Sequence, residues 1–135
     1  NAGCFVAPTI IEMDSILDLK RENFGPILHV VRYKAADLER VIEDINATGF
    51  GLTMGLHSRN DDTRAFVESR IKVGNFYVNR NQIGAVVESQ PFGGEGLSGT
   101  GPKAGGPHYV QRFATERVVS IDTTAAGGNA TLLAS

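Results

Sequence analysis

Few residues of this 135-residue chain have the type and spacing that covalent or metal chemistry needs. Cys4 is the single cysteine, and a catalytic thiol must be ionised by a neighbouring base, cation or helix N-terminus. Because Cys4 lies between Gly3 and Phe5 in an extended apolar stretch without a nearby base, we expect a buried or half-buried structural thiol. The three histidines lack the spacing of metal ligands. The residues therefore predict neither a catalytic group nor a metal site.

A glycine-rich stretch contains the most conspicuous motif. Eight of the 16 glycines fall between Gly84 and Gly106, and residues 94–99 match the G-x-G-x-x-G pattern of dinucleotide-binding loops. That pattern binds a pyrophosphate only when a strand precedes it and a helix follows it. Residues 88–92 before the motif do not form the required strand, and the prolines and glycines at 102 and 105–107 prevent the helix after it. We interpret the run as a loop whose backbone passes close to another group, with positive φ at several positions.

Glu22 is the one acidic residue at a position suited to ligand binding. It precedes the sharp break at residues 23–26, where a carboxylate could extend from the end of a sheet. The pattern alone favours a solvated charge beside Lys20 and Arg21. A carboxylate at such a turn could also accept hydrogen bonds from a pair of sugar hydroxyls, and the residues alone leave both interpretations open.

The elements that would position these groups alternate along the chain and predict an α/β fold. Strands are predicted over residues 5–6, 9–11, 27–31, 52–56 and 75–79. Helices are predicted over 37–45 and from the cap at Asn60 to the stop at Gly74. This alternation is typical of parallel βαβ units. A short helix over 107–115 and a half-buried strand over 117–122 are predicted after the glycine-rich loop.

The two main helices each have a predicted buried side. In the first, the apolar residues recur at i, i+3, i+4 and i+7: Leu38, Val41, Ile42 and Ile45. In the second, the predicted buried residues are Ala65, Phe66, Ser69 and Ile71.

Composition excludes several classes of protein. Apolar residues make up 41% and charged residues 21%, as in ordinary globular domains, and the net charge of −2 argues against a nucleic-acid-binding surface. No apolar run approaches the ~20 residues that a membrane span needs. No targeting segment is visible, and the single cysteine is compatible with a reducing compartment. The first residue is not Met, so we expect a piece of a longer chain.

Five stretches, in order, resemble motifs of the aldehyde dehydrogenase superfamily. They are Gly3-Cys4-Phe5-Val6-Ala7-Pro8-Thr9, Glu22-Asn23-Phe24-Gly25-Pro26, Asn46 through Thr53 (NATGFGLT), Gly74 through Asn79 (GNFYVN), and Pro91-Phe92-Gly93-Gly94 with Ser98-Gly99. Asn23 departs from the usual apolar residue of its motif. The loop at residues 79–94 is similar to the aldehyde-anchoring loop of the 1-pyrroline-5-carboxylate dehydrogenase branch. The tail at residues 123–130 resembles the end of the dehydrogenase module in bacterial enzymes that fuse it to proline dehydrogenase.

The resemblance implies roles for five residues. Glu22 would bind the ribose hydroxyls next to the nicotinamide of NAD, and Phe24 would contact the same end of the cofactor. The backbone N–H groups of Gly84 and Ala85 would bind the α-carboxylate of L-glutamate γ-semialdehyde, because small residues let the backbone approach an anion. Phe92 would pack on the aliphatic stem of that substrate.

The resemblance also implies a domain organisation. Residues 1–116 would be the C-terminal part of the catalytic domain, and residues 117–135 would be an oligomerisation strand and tail that join a partner's sheet in a homo-oligomer. The family's nucleophilic Cys, oxyanion-hole Asn and general-base Glu precede the segment similar to this chain, so we expect the isolated chain to be inactive. A preceding proline dehydrogenase domain would use FAD.

The alternatives are a stand-alone 1-pyrroline-5-carboxylate dehydrogenase and a non-catalytic oligomerisation or binding module. DNA would be a partner only if the parent protein has a separate DNA-binding domain. We expect a bacterial cytoplasmic location, with membrane association only through the parent protein.

Overall fold

A computed structural model describes residues 3–83 and 86–122. Its strands are β1 (Thr9–Met13), β2 (Ile27–Val31), β3 (Phe50–Gly51), β4 (Thr53–Leu56), β5 (Asn75–Val78) and β6 (Glu95–Gly96). Its helices are α1 (Leu38–Ala47) and α2 (Asp61–Glu68). Single 3₁₀ turns span Ile16–Asp18, Ala35–Asp37 and Val110–Phe113. The alternation of strands and helices confirms the predicted α/β class.

Local signals in the sequence explain where the helices begin and end. The Asn60 side chain caps α2 by accepting hydrogen bonds from the backbone N–H groups of Asp62 and Thr63, at 2.8 and 3.1 Å. Helix α1 ends at Ala47, and Gly49, two residues later, adopts a φ of +77°. A residue without a side chain is favoured in this left-handed conformation after a helix.

The strands form three two-stranded sheets. Strands β1 and β2 are parallel, with Thr9 opposite Ile27, and β4 and β5 are parallel, with Thr53 opposite Asn75. Strands β3 and β6 form a short antiparallel pair. The β4–α2–β5 segment is thus one parallel βαβ unit, whereas β1 and β2 are joined by the connection over residues 14–26, which contains only a 3₁₀ turn.

The described residues bury only a small apolar core, formed by Ile42, Val67 and Tyr77. Ile42 on α1 agrees with the predicted stripe. The prediction for α2 was wrong in part, because Val67 is fully buried while Ala65 and Ser69 are exposed. Val67 is in the last turn of α2 and is the only residue of this helix that is fully buried.

One face of the β1–β2 sheet is open. Ile10 and Leu28 are opposite each other in the register and are 73% and 57% exposed. Phe5 and Val6 precede the sheet, and the strand predicted there is absent among the described residues. Exposed apolar side chains on one sheet face indicate a surface that another part of a protein covers.

The end of the described chain is less regular than predicted. Residues 107–115 contain the 3₁₀ turn Val110–Phe113 instead of a longer helix. Within the described residues, 114–122 form no helix or strand, and Val118 and Ile121 are exposed. A strand at 117–122 that pairs with a partner's sheet therefore stays a prediction, as does the domain boundary after residue 116. No helix in the described ranges combines the length and apolar character of a membrane span.

Candidate functional site

A cleft of about 520 Å³, here named the Glu22 cleft, opens between the β1–β2 connection and the end of α1. Its first wall contains Glu22 and Phe24. Ile16 and Leu19 of the same connection also line the cleft. The other lining residues come from the end of α1 and the strands after it, and from the glycine-rich stretch: Ile45, Thr48, Phe50, Leu52, Thr53, Leu97 and Ser98. Two of the predicted site residues therefore lie on one cavity.

The first wall is fixed at both of its ends. Near the start of the connection, the Ser15 side chain accepts a hydrogen bond from the Leu17 N–H at 3.1 Å and caps the 3₁₀ turn. At the other end, the Thr9 N–H donates to the Pro26 carbonyl at 2.9 Å. Between these points Glu22 and Phe24 are exposed, and the Phe24 side chain is 90% accessible.

The opposite wall is built by backbone packed closely on backbone. The Gly51 N–H donates to the Ser98 hydroxyl at 3.1 Å, and the Leu97 N–H donates to the Gly49 carbonyl at 2.9 Å. A Cβ atom on Gly51 would lie 2.7 Å from the Lys72 carbonyl oxygen, so only glycine fits there. These contacts hold residues 95–98 of the glycine-rich stretch against β3.

The run at residues 94–99 does not form a dinucleotide-binding turn. It holds β6 and a turn, and Gly96 has a φ of +59°. A Cβ on Gly94 would approach the Ser98 carbonyl oxygen to 2.6 Å, and one on Gly99 would approach the Gly94 carbonyl oxygen to 2.3 Å. The interpretation of a loop that needs glycine for close backbone approach is confirmed at these positions.

The chemistry of the Glu22 cleft combines one carboxylate with apolar walls. A carboxylate accepts hydrogen bonds from paired hydroxyls, and side chains such as Phe24, Phe50 and Leu97 can pack against a flat ring. The residues present therefore fit the nicotinamide–ribose end of a dinucleotide. Among the described residues, no group of three or more His, Cys, Asp or Glu side chains could hold a metal ion.

Phe92 lies outside the residues that line the Glu22 cleft and is half-buried. Its backbone forms an isolated antiparallel bridge with Ala104, with N–H to carbonyl distances of 3.0 and 2.9 Å. A second bridge, between Val86 and Gln90, forms a hairpin immediately before it. Gly84 and Ala85, the predicted carboxylate-binding residues, lie outside the described residues, as does the tail after residue 122.

Sequence reasoning missed the polar groups that hold Phe92. The Asn75 side chain donates to the Pro91 carbonyl at 2.9 Å and accepts from the Gly93 N–H at 3.2 Å. The Lys103 ammonium donates to the Gly93 carbonyl at 2.7 Å. The signal that could have found Asn75 is an amide within a predicted strand, because a half-buried amide needs hydrogen-bond partners.

The prediction of a buried or half-buried Cys4 was wrong, because Cys4 is exposed. Residues 3–8 lie outside the strands, so no neighbouring strand covers them. His57 and His108 are exposed and His29 is half-buried.

A protein-family model accounts for most of the chain. The model of the aldehyde dehydrogenase family matches residues 1–119. The chain belongs to the aldehyde dehydrogenase family. The family predicted from the five motifs is therefore confirmed, and Glu22, Phe24 and Phe92 all lie within the matched residues.

Individual relatives indicate which members of the family the chain is similar to in sequence and structure. The chain is 66% identical over 115 residues to the bifunctional protein PutA of Rhizobium meliloti, which covers 85% of this chain and 9% of that protein. A crystal structure of a mutant proline utilization A (PutA) from Bradyrhizobium japonicum matches with 63% identity and a TM-score of 0.82, over 94% of this chain and 13% of that one. A 1-pyrroline-5-carboxylate dehydrogenase from Thermus with bound NAD matches with 39% identity and a TM-score of 0.74, over 84% and 22%. The chain spans about a tenth of the length of the PutA relatives.

Proposed function

We propose that this chain is part of the dehydrogenase module of a PutA-type protein and contributes to oxidation of L-glutamate γ-semialdehyde by NAD. The observation that carries the proposal is the match to PutA, at 63% identity and a TM-score of 0.82 over 94% of the chain. We favour the bifunctional type because the identity to PutA of Rhizobium meliloti is 66%, against 39% for the 1-pyrroline-5-carboxylate dehydrogenase from Thermus. In such a protein a separate domain would oxidise proline with FAD.

In the overall reaction the aldehyde carbon loses a hydride to NAD⁺ and gains an oxygen from water. The products are a carboxylate, NADH and two protons. A nucleophile in another part of the protein would attack the aldehyde, as in the family. Since no described residue of this chain is placed as that nucleophile, its own residues would bind and orient the reactants.

Each wall of the site would have a separate task. Glu22 would accept hydrogen bonds from the ribose hydroxyls, and Phe24 would contact the nicotinamide end of NAD, as the family resemblance implies. The position of both residues on the Glu22 cleft supports these roles. Gly84 and Ala85 would bind the α-carboxylate through backbone N–H groups, and Phe92 would pack on the aliphatic stem. Residues 117–122 would add a strand to a partner subunit, which would cover apolar side chains that are exposed here, such as Val118 and Ile121.

Kinetics of the full-length gene product test the proposal. We expect NAD reduction with L-glutamate γ-semialdehyde, proline oxidation in a second assay, and no NAD reduction by the isolated 135-residue chain. In the Glu22→Gln variant the KM for NAD should rise about ten- to hundredfold, because hydrogen bonds to a charged group contribute about 1.5–3 kcal/mol.

Glu43→Gln is the matched control, since Glu43 is exposed on α1 and does not line the Glu22 cleft. Its KM for NAD should stay within about twofold of the unsubstituted value. If the full-length protein reduces NAD but does not oxidise proline, it is a stand-alone dehydrogenase. If it does not reduce NAD with this semialdehyde, the proposed function is wrong.

A further inference from the structure

We propose that Asn75 is a positioning residue that fixes the position of Phe92 relative to the Glu22 cleft and thereby sets the affinity for the aldehyde substrate. The proposal rests on the role of Phe92 in the proposed function. Asn75 does not line the Glu22 cleft; it acts through the backbone on either side of Phe92.

The backbone around Phe92 has a partner for each of five consecutive polar groups. The Asn75 side chain binds the Pro91 carbonyl and the Gly93 N–H, Ala104 binds both polar groups of Phe92, and Lys103 binds the Gly93 carbonyl. Three of these five bonds come from the side chains of Asn75 and Lys103. The rotation of the backbone that carries the Phe92 ring is therefore restricted on both sides.

The backbone of Asn75 is bonded to the wall of the Glu22 cleft. Its N–H donates to the Leu52 carbonyl at 3.1 Å, and in the β4–β5 register it is opposite Thr53. Leu52 and Thr53 both line the cleft. One residue thus connects the wall of the cofactor cleft, through its main chain, to the segment that carries Phe92, through its side chain.

A second asparagine makes the same kind of contact but flanks a residue other than Phe92. The Asn46 side chain donates to the Arg70 carbonyl and accepts from the Lys72 N–H, both at 2.9 Å, and so flanks Ile71 as Asn75 flanks Phe92. Asn46 does not line the Glu22 cleft. Asn46 is therefore a matched control. Its substitution removes two hydrogen bonds of the same kind without removing those that position Phe92.

The experiment compares Asn75→Leu with Asn46→Leu in the full-length gene product. Leucine has a similar size and removes both side-chain bonds. We expect Asn75→Leu to raise the KM for the semialdehyde about tenfold, with kcat and the KM for NAD within about twofold. Asn46→Leu should leave the KM for the semialdehyde within about twofold, because Asn46 makes no bond to residues 91–93.

Lys103→Met provides a second variant if Asn75→Leu does not fold. It keeps the length of the side chain and removes only the bond to the Gly93 carbonyl, so we expect a rise of about threefold in the same KM. Unchanged KM in both soluble variants would overturn the proposal.

Hydrogen exchange of the peptide over residues 86–104 supplies a readout that needs no substrate. Its amides should exchange at least tenfold faster in Asn75→Leu and at the unsubstituted rate in Asn46→Leu. Faster exchange without a change in KM would overturn the link to the aldehyde, and unchanged exchange would overturn the restraint itself. If the unsubstituted enzyme has no activity, the proposed function fails, whereas the exchange result still tests the restraint.

Discussion

Substitution of Gly74 by alanine tests how closely strand β5 approaches the Phe92 segment. A Cβ atom on Gly74 would lie 1.8 Å from the Gly93 carbonyl oxygen and 2.7 Å from both the Gly93 carbonyl carbon and the Gly94 Cα. All three are backbone atoms, so no flexible side chain can move aside. Gly74 does not have a left-handed φ, so the cost comes from this contact and not from the backbone conformation.

The expected magnitude follows from the displacement. Ordinary contact begins at 3.4 Å, so the Gly93 carbonyl oxygen must move by about 1.6 Å. That movement breaks the bonds of Gly93 to Asn75 and Lys103, which contribute about 1 kcal/mol each, and leaves residual strain of about 1 kcal/mol. We expect the free energy of local opening to fall by about 3 kcal/mol, which corresponds to about 150-fold faster exchange.

Hydrogen exchange of residues 86–104 in the full-length gene product measures this change. The control is Gly55→Ala in strand β4, where the added Cβ would meet only Gln82, at 3.7 Å, and exchange should stay within about threefold. Exchange in Gly74→Ala that matched the unsubstituted protein would refute the close packing of β5 against Gly93.

Two further predictions concern the βαβ unit that supports the site. Asn60→Ala removes the cap that accepts from the Asp62 and Thr63 N–H groups, so the first turn of α2 should lose about 1 kcal/mol, measured as about fivefold faster exchange in residues 61–66. Val67→Ala removes two methyl groups from a fully buried position and should lower the opening free energy of β4–α2–β5 by about 2 kcal/mol, measured as about 30-fold faster exchange in residues 53–78.

Two exposed sites serve as controls for these variants. Asn81 makes a similar bond to the Ile83 N–H at 3.3 Å but caps no helix, so Asn81→Ala should leave α2 unchanged. Val110 is 78% exposed, and Val110→Ala should change the opening free energy by less than about 0.5 kcal/mol. A cap or core variant that behaved like its control would contradict the assignment of Asn60 or Val67.

Much of the secondary structure could be predicted because its causes are local. The Asn60 cap and the stripe through Ile42 are short-range patterns, and the structure has α1 at the predicted place and α2 directly after the predicted cap. Helix α2 ends at Glu68, so the predicted stop at Gly74 was wrong. The strand predicted at 5–6 and the longer helix at 107–115 were wrong, because neither segment has a described neighbour that satisfies a full ladder or covers an apolar face.

The sequence by itself determined the aldehyde dehydrogenase family and the chemical types of Glu22 and Phe24, because spaced motifs are properties of the chain order. Only the tertiary structure decided that these two residues share a cleft with Leu97, and that Asn75 holds the segment on both sides of Phe92. The two Asn75 bonds join residues 16 and 18 positions apart in the chain. The periodicity of apolar residues in the sequence does not predict which residues at such separations come into contact. Close backbone packing, as between Gly74 and Gly93, likewise exists only after the chain has folded.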